Sequence, residues 1–172
     1  ELSNGTWSAK QILNPTIHSN TDKVGYSVSM SGNYAIISAW GYKSNKGRAH
    51  IYELSNGTWT EKQQITASDS YSQGKFSSCV AISGNYAIIS QPGTTGTYGS
   101  NTQGCVYIFE LSNGTWTEKQ KLKATDSVNG DEFGYSVAIN GNYAIVGCRT
   151  RSVNGNSFAG SAYIFELSNG NW

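Results

Sequence analysis

The chain has 172 residues and a formal net charge of +1, with 12 Lys and Arg against 11 Asp and Glu. This balance gives no basic surplus for nucleic acid, and no apolar run reaches the ~18 residues of a membrane span, so we expect neither nucleic-acid binding nor membrane insertion. Hydrophobic residues at 37% exclude a disordered chain, while 20 Gly and only 13% charged residues indicate a turn-rich β protein that acts outside the cell or at its surface.

One short motif recurs along the chain. ELSNGTW begins at Glu1, Glu53 and Glu110, and it returns as ELSNGNW at Glu166, with spacings of 52, 57 and 56 residues. Repeats of this length indicate that each unit is one supersecondary structure that packs on its neighbours. The sequence therefore predicts about three repeats of 52–57 residues.

The predicted elements follow in chain order. Residues 1–13 supply the fourth strand, 6–13, of a preceding blade. Residues 14–65 form blade 1, residues 66–122 form blade 2, and residues 123–172 form blade 3, which lacks its fourth strand. Strand one is predicted at 26–30, 78–82 and 135–139, strand two at 143–147, strand three at 161–166 and strand four at 115–122.

The pattern within each unit favours a β-propeller. Asn140-Gly141, between two apolar runs, predicts a hairpin with a type I′ turn. Strands two and three are apolar at successive positions, which indicates burial on both faces. Strand four carries charges such as Glu118 and Lys119, as suits an exposed edge. Repetition of such units predicts an all-β fold of β-propeller-type blades, each with four antiparallel strands.

The third copy carries a family resemblance. Residues 132–147, EFGYSVAINGNYAIVG, followed by residues 160–165, GSAYIF, resemble an FG-GAP repeat. The resemblance implies blades like those of integrin-alpha-type β-propellers and of many secreted microbial proteins. Many members of that family bind calcium through alternating Asp residues between the first two strands. Here the turn Ser31-Gly32-Asn33 and its counterparts are too short and too poor in carboxylates, so we expect no metal and no cofactor.

Groups suited to catalysis are sparse, and we expect no enzyme. His18 lies in an irregular loop, and His50 takes a position that the other copies fill with tyrosine, which favours a packed strand residue. Aspartates recur before strand one, where they are more often turn formers than general acids; these are Asp22, Asp69 and Asp126.

The three cysteines, Cys79, Cys105 and Cys148, have no metal-ligand spacing. Cys79 and Cys105 lie on strands one and three of one blade, ~9–10 Å apart across strand two. A disulfide needs Cα atoms within ~7 Å, so this bridge is disfavoured. Contact between Cys105 and Cys148 of adjacent blades stays open, and buried thiols are the favoured interpretation.

Ligand-binding candidates lie mainly in the loops between strands two and three, which differ most among the copies. The candidates are Trp40, Tyr42, Arg48, Tyr98, Arg149, Arg151 and Phe158. A second aromatic set recurs at the start of strand four and consists of Trp7, Trp59, Trp116 and Trp172. This set could stack on sugar rings, although a repeat-phased Trp is more often packing between blades.

Three Asn-Gly-Thr sequons at hairpin tips make Asn4, Asn56 and Asn113 candidates for N-glycosylation. The alternative is that Asn-Gly only makes the turn. Asn169-Gly170-Asn171 supports this alternative, because it keeps the turn without the sequon.

The strand order predicts an assembly strand. Residues of this strand would pair with the open edge of blade 3, namely Thr6, Trp7, Ile12 and Leu13 with Ala162, Tyr163, Ile164 and Phe165. The pairing could close a ring of three blades within one chain, or join copies into a closed ring or an open filament. Alternatively, further repeats of a longer chain could pair with the open edge of blade 3.

The leading functional hypothesis is a non-enzymatic extracellular structural or adhesive protein, whose partners are copies of itself or adjacent repeats of a longer chain. One alternative is a carbohydrate-binding propeller, which would contact glycans through Trp40, Tyr42 and Tyr98 or through the phased Trp residues. Another is an integrin-like propeller, which would bind a protein ligand through loops on one face.

Overall fold

The computed structural model describes residues 2–16, 18–92 and 103–172 of the chain. Within these ranges the backbone forms short antiparallel strands and one four-residue helical turn, in which Lys43, Ser44 and Asn45 have positive φ. In chain order the elements are β1 Leu2–Ser3, β2 Thr6–Trp7, β3 Val24–Ser31, β4 Tyr34–Ala39, α1 Tyr42–Asn45, β5 Arg48–Ser55, β6 Thr58–Ile65, β7 Val80–Ser83, β8 Tyr86–Gln91, β9 Cys105–Ser112, β10 Thr115–Leu122, β11 Phe133–Asn140, β12 Tyr143–Cys148 and β13 Ser161–Glu166.

Three antiparallel sheets form the blades. Blade 1 has the strand order β3-β4-β5-β6, blade 2 has β7-β8-β9-β10, and blade 3 has β11-β12-β13. Each strand pairs with the next one in sequence, so the chain runs up and down through each blade. The predicted all-β fold of propeller-type blades is confirmed, with four strands in blades 1 and 2 and three among the described residues of blade 3.

The hairpins use two kinds of turn. Between strands three and four, Asn56 (φ 50°) and Gly57 (φ 76°) both take positive φ, as a type I′ turn requires. Between strands one and two, Asn140 pairs with Tyr143 in the ladder, and only Gly141 (φ 55°) has positive φ. The predicted type I′ turn is therefore wrong at this hairpin, which has the positive φ at the first central residue that is typical of type II′.

The strand predicted over residues 6–13 is wrong in extent. Only Thr6–Trp7 is β, paired with Leu2–Ser3. In blade 2 the fourth strand, β10, lies along a full third strand and reaches eight residues. A strand is stabilised by hydrogen bonds to its partner strand. Because β1 has only two residues, only two residues of β2 are paired. In blade 2, strand one also begins later than predicted, at Val80.

The hydrophobic core lies between the blades. We call the face that a blade turns toward the next blade its leading face, and the opposite face its trailing face. Ile36 on the leading face of blade 1 packs with Val80 and Ile82 on the trailing face of blade 2. Ile88 on the leading face of blade 2 packs in the cluster that Val137 of blade 3 joins. Blade 2 is thus buried on both faces.

The outer faces of blades 1 and 3 are open. In blade 1, Val28 and Met30 of the trailing face are exposed, and in blade 3, Ile145 and Ile164 of the leading face are exposed. The predicted two-sided burial of strands two and three is therefore wrong for β12 and β13, which alternate between covered and exposed residues. The reason is that no described residues cover this face.

Serine hydroxyls join the innermost strands of blades 1 and 2. The backbone N–H groups of β7 donate to hydroxyl oxygens of β3 in three successive rungs: Val80 to Ser27 at 3.0 Å, Ile82 to Ser29 at 3.2 Å and Gly84 to Ser31 at 3.1 Å. Between blades 2 and 3 the corresponding hydroxyl is Ser83, which accepts from Gly141 N–H at 3.1 Å. These serine rungs satisfy edge donors that would otherwise need water.

A glutamine clasp joins each outer strand to the next. The Gln63 side-chain amide donates to the Trp116 carbonyl at 2.7 Å and accepts from the Trp116 N–H at 2.9 Å. Gln11 holds Trp59 in the same way, and Gln120 holds Trp172. Gln11 therefore lies beside blade 1 as Gln63 lies beside blade 2, in the place of a preceding fourth strand, even though its backbone is not β.

Candidate functional site

A cleft of about 370 Å³ crosses all three blades near the start of their innermost strands. Two aromatic walls face each other across a floor of small side chains. The lining consists of Tyr26, Ser27, Trp40, Lys75, Ser78, Cys79, Pro92, Glu132, Tyr135 and Arg149.

The cleft exists because blade 2 differs from its neighbours at two repeat positions. Blades 1 and 3 carry Tyr26 and Tyr135 at the first position, where blade 2 has Ser78. At the second position, after strand two, blade 1 has Trp40 and blade 3 has a long side chain, while blade 2 has Pro92. The short side chains of Ser78 and Pro92 leave a gap over blade 2, and the longer side chains of blades 1 and 3 form its two sides.

The wall from blade 1 is aromatic with a cation above it. The rings of Tyr26 and Trp40 meet edge to face, with centroids 5.8 Å apart. The Lys75 ammonium lies 5.6 Å from the Trp40 ring centroid, within cation–π range. The indole N–H of Trp40 is buried and has no acceptor among the described residues.

The wall from blade 3 is held by an arginine. The Arg149 guanidinium lies 4.2 Å from the Tyr135 ring centroid, and its Nη1 donates to the Tyr135 hydroxyl at 3.1 Å. The same guanidinium pairs with the Glu132 carboxylate at 2.8 Å. Burial by itself would lower the pKa of Arg149. The neighbouring charge of Glu132 and the hydrogen bonds outweigh this effect and raise the pKa, so the pair stays ionised.

The residue before the Phe-Gly position has left-handed backbone in every copy, and two of these three residues, Lys75 and Glu132, line the cleft. Lys23, Lys75 and Glu132 have φ of 57°, 54° and 55°, a conformation that L-residues adopt uncommonly. The strained backbone precedes the Phe-Gly position of each copy and places Lys75 and Glu132 on opposite sides of the cleft. Strain of this kind is common at functional sites.

The FG-GAP repeat family matches residues 7–52, 59–109 and 116–165, most of the chain. The chain belongs to the FG-GAP repeat family. The family resemblance of the third copy thus extends to all three. No curated protein matches the chain.

The Phe-Gly position of the FG-GAP repeat has one backbone conformation in every copy. Gly25, Ser77 and Gly134 have φ of 82°, 67° and 91°. Ser77 keeps this conformation without being glycine, and its buried hydroxyl donates to the Arg48 carbonyl at 2.5 Å and accepts from the Ala39 N–H at 3.2 Å. These bonds from blade 2 to blade 1 offset the cost of positive φ.

The structure brings together two of the predicted ligand-binding residues, Trp40 and Arg149, in the cleft of this FG-GAP protein. Tyr42 lies in α1 and packs on the guanidinium of Arg48 at 4.0 Å. Arg48 is buried, pairs with Asp22 at 3.6 Å and donates to Gln64 at 2.8 Å. Tyr42 and Arg48 thus form a separate cluster inside blade 1.

The remaining ligand-binding candidates lie apart from the cleft. Arg151 pairs with Asp126 at 2.7 Å and with Asp131 at 3.6 Å. Phe158 is exposed on the loop before β13. Tyr98 lies outside the described residues.

Two of the four phased tryptophans pack between FG-GAP blades, whereas Trp7 is exposed. Trp116 is buried edge-on against Tyr34 of blade 1, with centroids 5.6 Å apart, and Trp172 meets Tyr86 of blade 2 at 5.5 Å. Trp59 has its backbone clasped by Gln11. Trp116 and Trp172 are therefore interface residues, as the packing interpretation predicted.

The predicted glycosylation sites are geometrically open. Asn4, Asn56 and Asn113 lie at exposed turns with φ near 50°. N-glycosylation of these asparagines stays a prediction.

The aspartates divide into two kinds. Asp22 accepts from the Ser19 N–H at 3.0 Å, as Asp131 accepts from the Val128 N–H at 2.8 Å, so both are turn formers. Asp69 instead accepts from the Tyr107 hydroxyl at 2.6 Å, and Asp126 from the Tyr163 hydroxyl at 2.7 Å. The predicted grouping of Asp22 with Asp69 and Asp126 is therefore wrong, because the counterpart of Asp22 is Asp131.

The histidines lie outside the cleft. His50 is fully buried in β5, and its Nδ1 is 2.7 Å from the Glu61 carboxylate, which confirms a packed strand residue. Burial lowers the pKa of His50 more than the carboxylate raises it, so the neutral ring donates its Nδ1–H. His18 lies 2.9 Å from the Pro15 carbonyl.

The three cysteines are free thiols. Cys105 and Cys148 are buried, which raises the pKa of Cys105 and raises that of Cys148 to about 11. Cys79 is half-buried on the cleft floor. Among the described residues no group of three or more His, Cys, Asp or Glu is placed to hold a metal ion. No described helix is long and apolar enough to cross a membrane.

Sequence reasoning missed most of the cleft, namely Tyr26, Lys75, Ser78, Glu132 and Tyr135. These residues lie near the start of strand one and not in the variable loops. The available signal was the alignment of the copies, in which Ser78 and Pro92 interrupt a pattern of large side chains.

Proposed function

We propose that this FG-GAP protein is a non-enzymatic structural or adhesive protein that acts outside the cell, and whose blades dock face to face with blades of a second copy. One observation carries the proposal. The two outer faces expose apolar residues at the repeat positions whose counterparts are buried in the inner interfaces. Each outer face is therefore complementary to the other.

The trailing face of blade 1 matches the buried trailing face of blade 2. Val28 and Met30 are 63% and 66% exposed, whereas their counterparts Val80 and Ile82 are 4% and 5% exposed. Contiguous exposed apolar residues of this kind mark interaction surfaces. Covering them with a leading face would repeat the packing between blades 1 and 2.

The leading face of blade 3 supplies the matching surface. Ile145 and Ile164 are 42% and 65% exposed, whereas their counterparts Ile88 and Ile108 are fully buried. Burying an isoleucine side chain contributes about 1.5–3 kcal/mol. A head-to-tail contact between copies would bury Ile145 and Ile164 of one copy against Val28 and Met30 of the next. It would leave one face of each copy for the next contact.

The clasp geometry supports strand complementation at the same contact. Gln11 of the chain already lies against blade 1 where the fourth strand of a preceding blade belongs. If that blade is blade 3 of a neighbour, residues 6–13 lie along the open edge of β13. The proposed pairs are Thr6, Trp7, Ile12 and Leu13 with Ala162, Tyr163, Ile164 and Phe165 of the neighbour. β13 pairs only with β12 among the described residues.

The test blocks one face at a time. Met30→Lys places a charge on the trailing face, and Ile164→Lys places one on the leading face; Thr60→Lys on the exposed side of β6 is the matched control. Sedimentation velocity over a concentration series should show head-to-tail oligomers for the wild type and for Thr60→Lys. Every contact needs one leading and one trailing face, so each face variant alone should stay monomeric.

Mixing the two face variants gives the sharpest result. Met30→Lys retains a leading face and Ile164→Lys retains a trailing face, so an equimolar mixture should form a one-to-one complex. Electron microscopy of the wild type should show rings or filaments. A wild type that stays monomeric at the highest concentration, or a mixture that forms no complex, would contradict the proposal.

A further inference from the structure

We propose that the cleft across the three blades binds an acidic sugar, that is, a pyranose ring that carries a carboxylate. This inference is independent of blade docking, because the cleft lies within one chain. Its volume of about 370 Å³ falls within the range of about 300–1,000 Å³ that is usual for small-ligand sites.

The two walls offer aromatic surface to a flat-sided ligand. Tyr26 is 68% exposed on one side of the cleft and Tyr135 is 48% exposed on the other. Aromatic faces carry partial negative charge, and the C–H groups on one face of a pyranose carry partial positive charge. A sugar ring seated between the walls would cover both tyrosines, which otherwise remain apolar surface in water.

The charge of the cleft favours an anion. Arg149 and Glu132 neutralise each other at 2.8 Å. Lys75 lies over Trp40 and has no carboxylate partner among the described residues. The lining therefore has a surplus of one positive charge, located beside an aromatic wall, where a carboxylate on the ligand would find it.

The polar groups left in the cleft suit hydroxyls. The Ser78 hydroxyl donates to the Lys75 carbonyl at 2.7 Å, so its oxygen remains an acceptor. Glu132 can accept further hydrogen bonds, and the Arg149 guanidinium can donate further ones. A ring of hydroxyl groups satisfies both kinds of group, whereas an aromatic carboxylate offers no donor to Glu132. This difference selects an acidic sugar over an aromatic acid.

The experiment compares acidic sugars with a neutral sugar and an aromatic acid. Isothermal titration calorimetry would use methyl glucuronide and a methyl sialoside as acidic sugars, methyl glucoside as the neutral sugar and benzoate as the aromatic acid. We expect at least one acidic sugar to bind at least about tenfold more tightly than methyl glucoside and benzoate, since hydrogen bonds to charged groups contribute strongly. Binding of neither acidic sugar, or equal binding of benzoate, would overturn the proposal.

Two variants locate the site. Ser78→Tyr fills the cleft with the residue that blades 1 and 3 carry at this repeat position, and it should abolish binding. Lys75→Met should reduce the affinity for the acidic sugar to that for methyl glucoside. Lys123→Met removes the same charge at a site outside the cleft and should change nothing. Wild-type affinity in both Ser78→Tyr and Lys75→Met would refute the site, and circular dichroism establishes that each variant is folded.

Discussion

The clasp between Gln63 and Trp116 gives the most direct test of how the blades hold together. Gln63→Ala removes two hydrogen bonds, of 2.7 and 2.9 Å, between the outer strands of blades 1 and 2. A typical intramolecular hydrogen bond contributes about 0.5–1.5 kcal/mol, so the variant should lose about 1–3 kcal/mol. For a chain of this size each kcal/mol lowers the melting temperature by roughly 2–4 °C.

The assay is urea denaturation followed by far-ultraviolet circular dichroism. Thr60→Ala, at an exposed site on the same strand, should stay within about 0.5 kcal/mol of the wild type. Gln11→Ala removes the same pair of bonds at an exposed location and should cost less than Gln63→Ala. If Gln63→Ala is no less stable than Thr60→Ala, the clasps do not hold the blades together.

Three further predictions concern single side chains. In thermal unfolding, Gly47→Ala should lower the free energy of unfolding by about 3 kcal/mol or more, because its Cβ would lie 1.9 Å from the Phe76 carbonyl oxygen. Gly57→Ala has a similar φ and open space around it, so it should cost only about 1–2 kcal/mol. Equal losses in the two variants would contradict the clash. Because burial lowers the pKa of His50 below 6.5, the unfolded chain binds a proton that the folded chain does not, so the free energy of unfolding should fall as the pH drops below about 6.5. His50→Phe should flatten this change, and an unchanged pH profile in this variant would count against the assignment. Hydrogen bonds from Thr16 and His50 outweigh burial and lower the pKa of Glu61 to about 2, so protonation of Glu61 affects stability only at more acidic pH. Cys79 should react with a maleimide in the folded protein while Cys105 and Cys148 react only after urea is added, and three equal rates would argue against their burial.

The blade architecture could be predicted because it is encoded locally. The limits of β10 at Thr115–Leu122 and of β13 at Ser161–Glu166 agree with the sequence pattern. Apolar periodicity and Asn-Gly turns act between neighbouring residues, so one sequence suffices to recognise them. Residues 8–13 have the same pattern but lack a full third strand beside them, and the prediction of a strand was wrong there.

Features that depend on stacking three blades were not predictable in the same way. The glutamines at 11, 63 and 120 have one phase in the repeat, but their role depends on the distance between adjacent outer strands. Lys62 and Lys119 are omitted from the ladders just before Gln63 and Gln120, and such bulges redirect side chains in a way that period-two patterns do not show. The cleft likewise depends on Ser78 lying between two tyrosines of different blades.

Hydrogen exchange at the serine rungs reports on the separation of blades 1 and 2 at their innermost strands. The N–H groups of Val80, Ile82 and Gly84 belong to blade 2, but their acceptors belong to blade 1. Exchange at these amides therefore requires the two blades to separate, and not merely β7 to fray from β8. Alanine replaces the middle hydroxyl at position 81 in the next blade, so this interface has fewer such reporters. Deuterium uptake at three amides thus measures how often the blades part while each sheet stays intact.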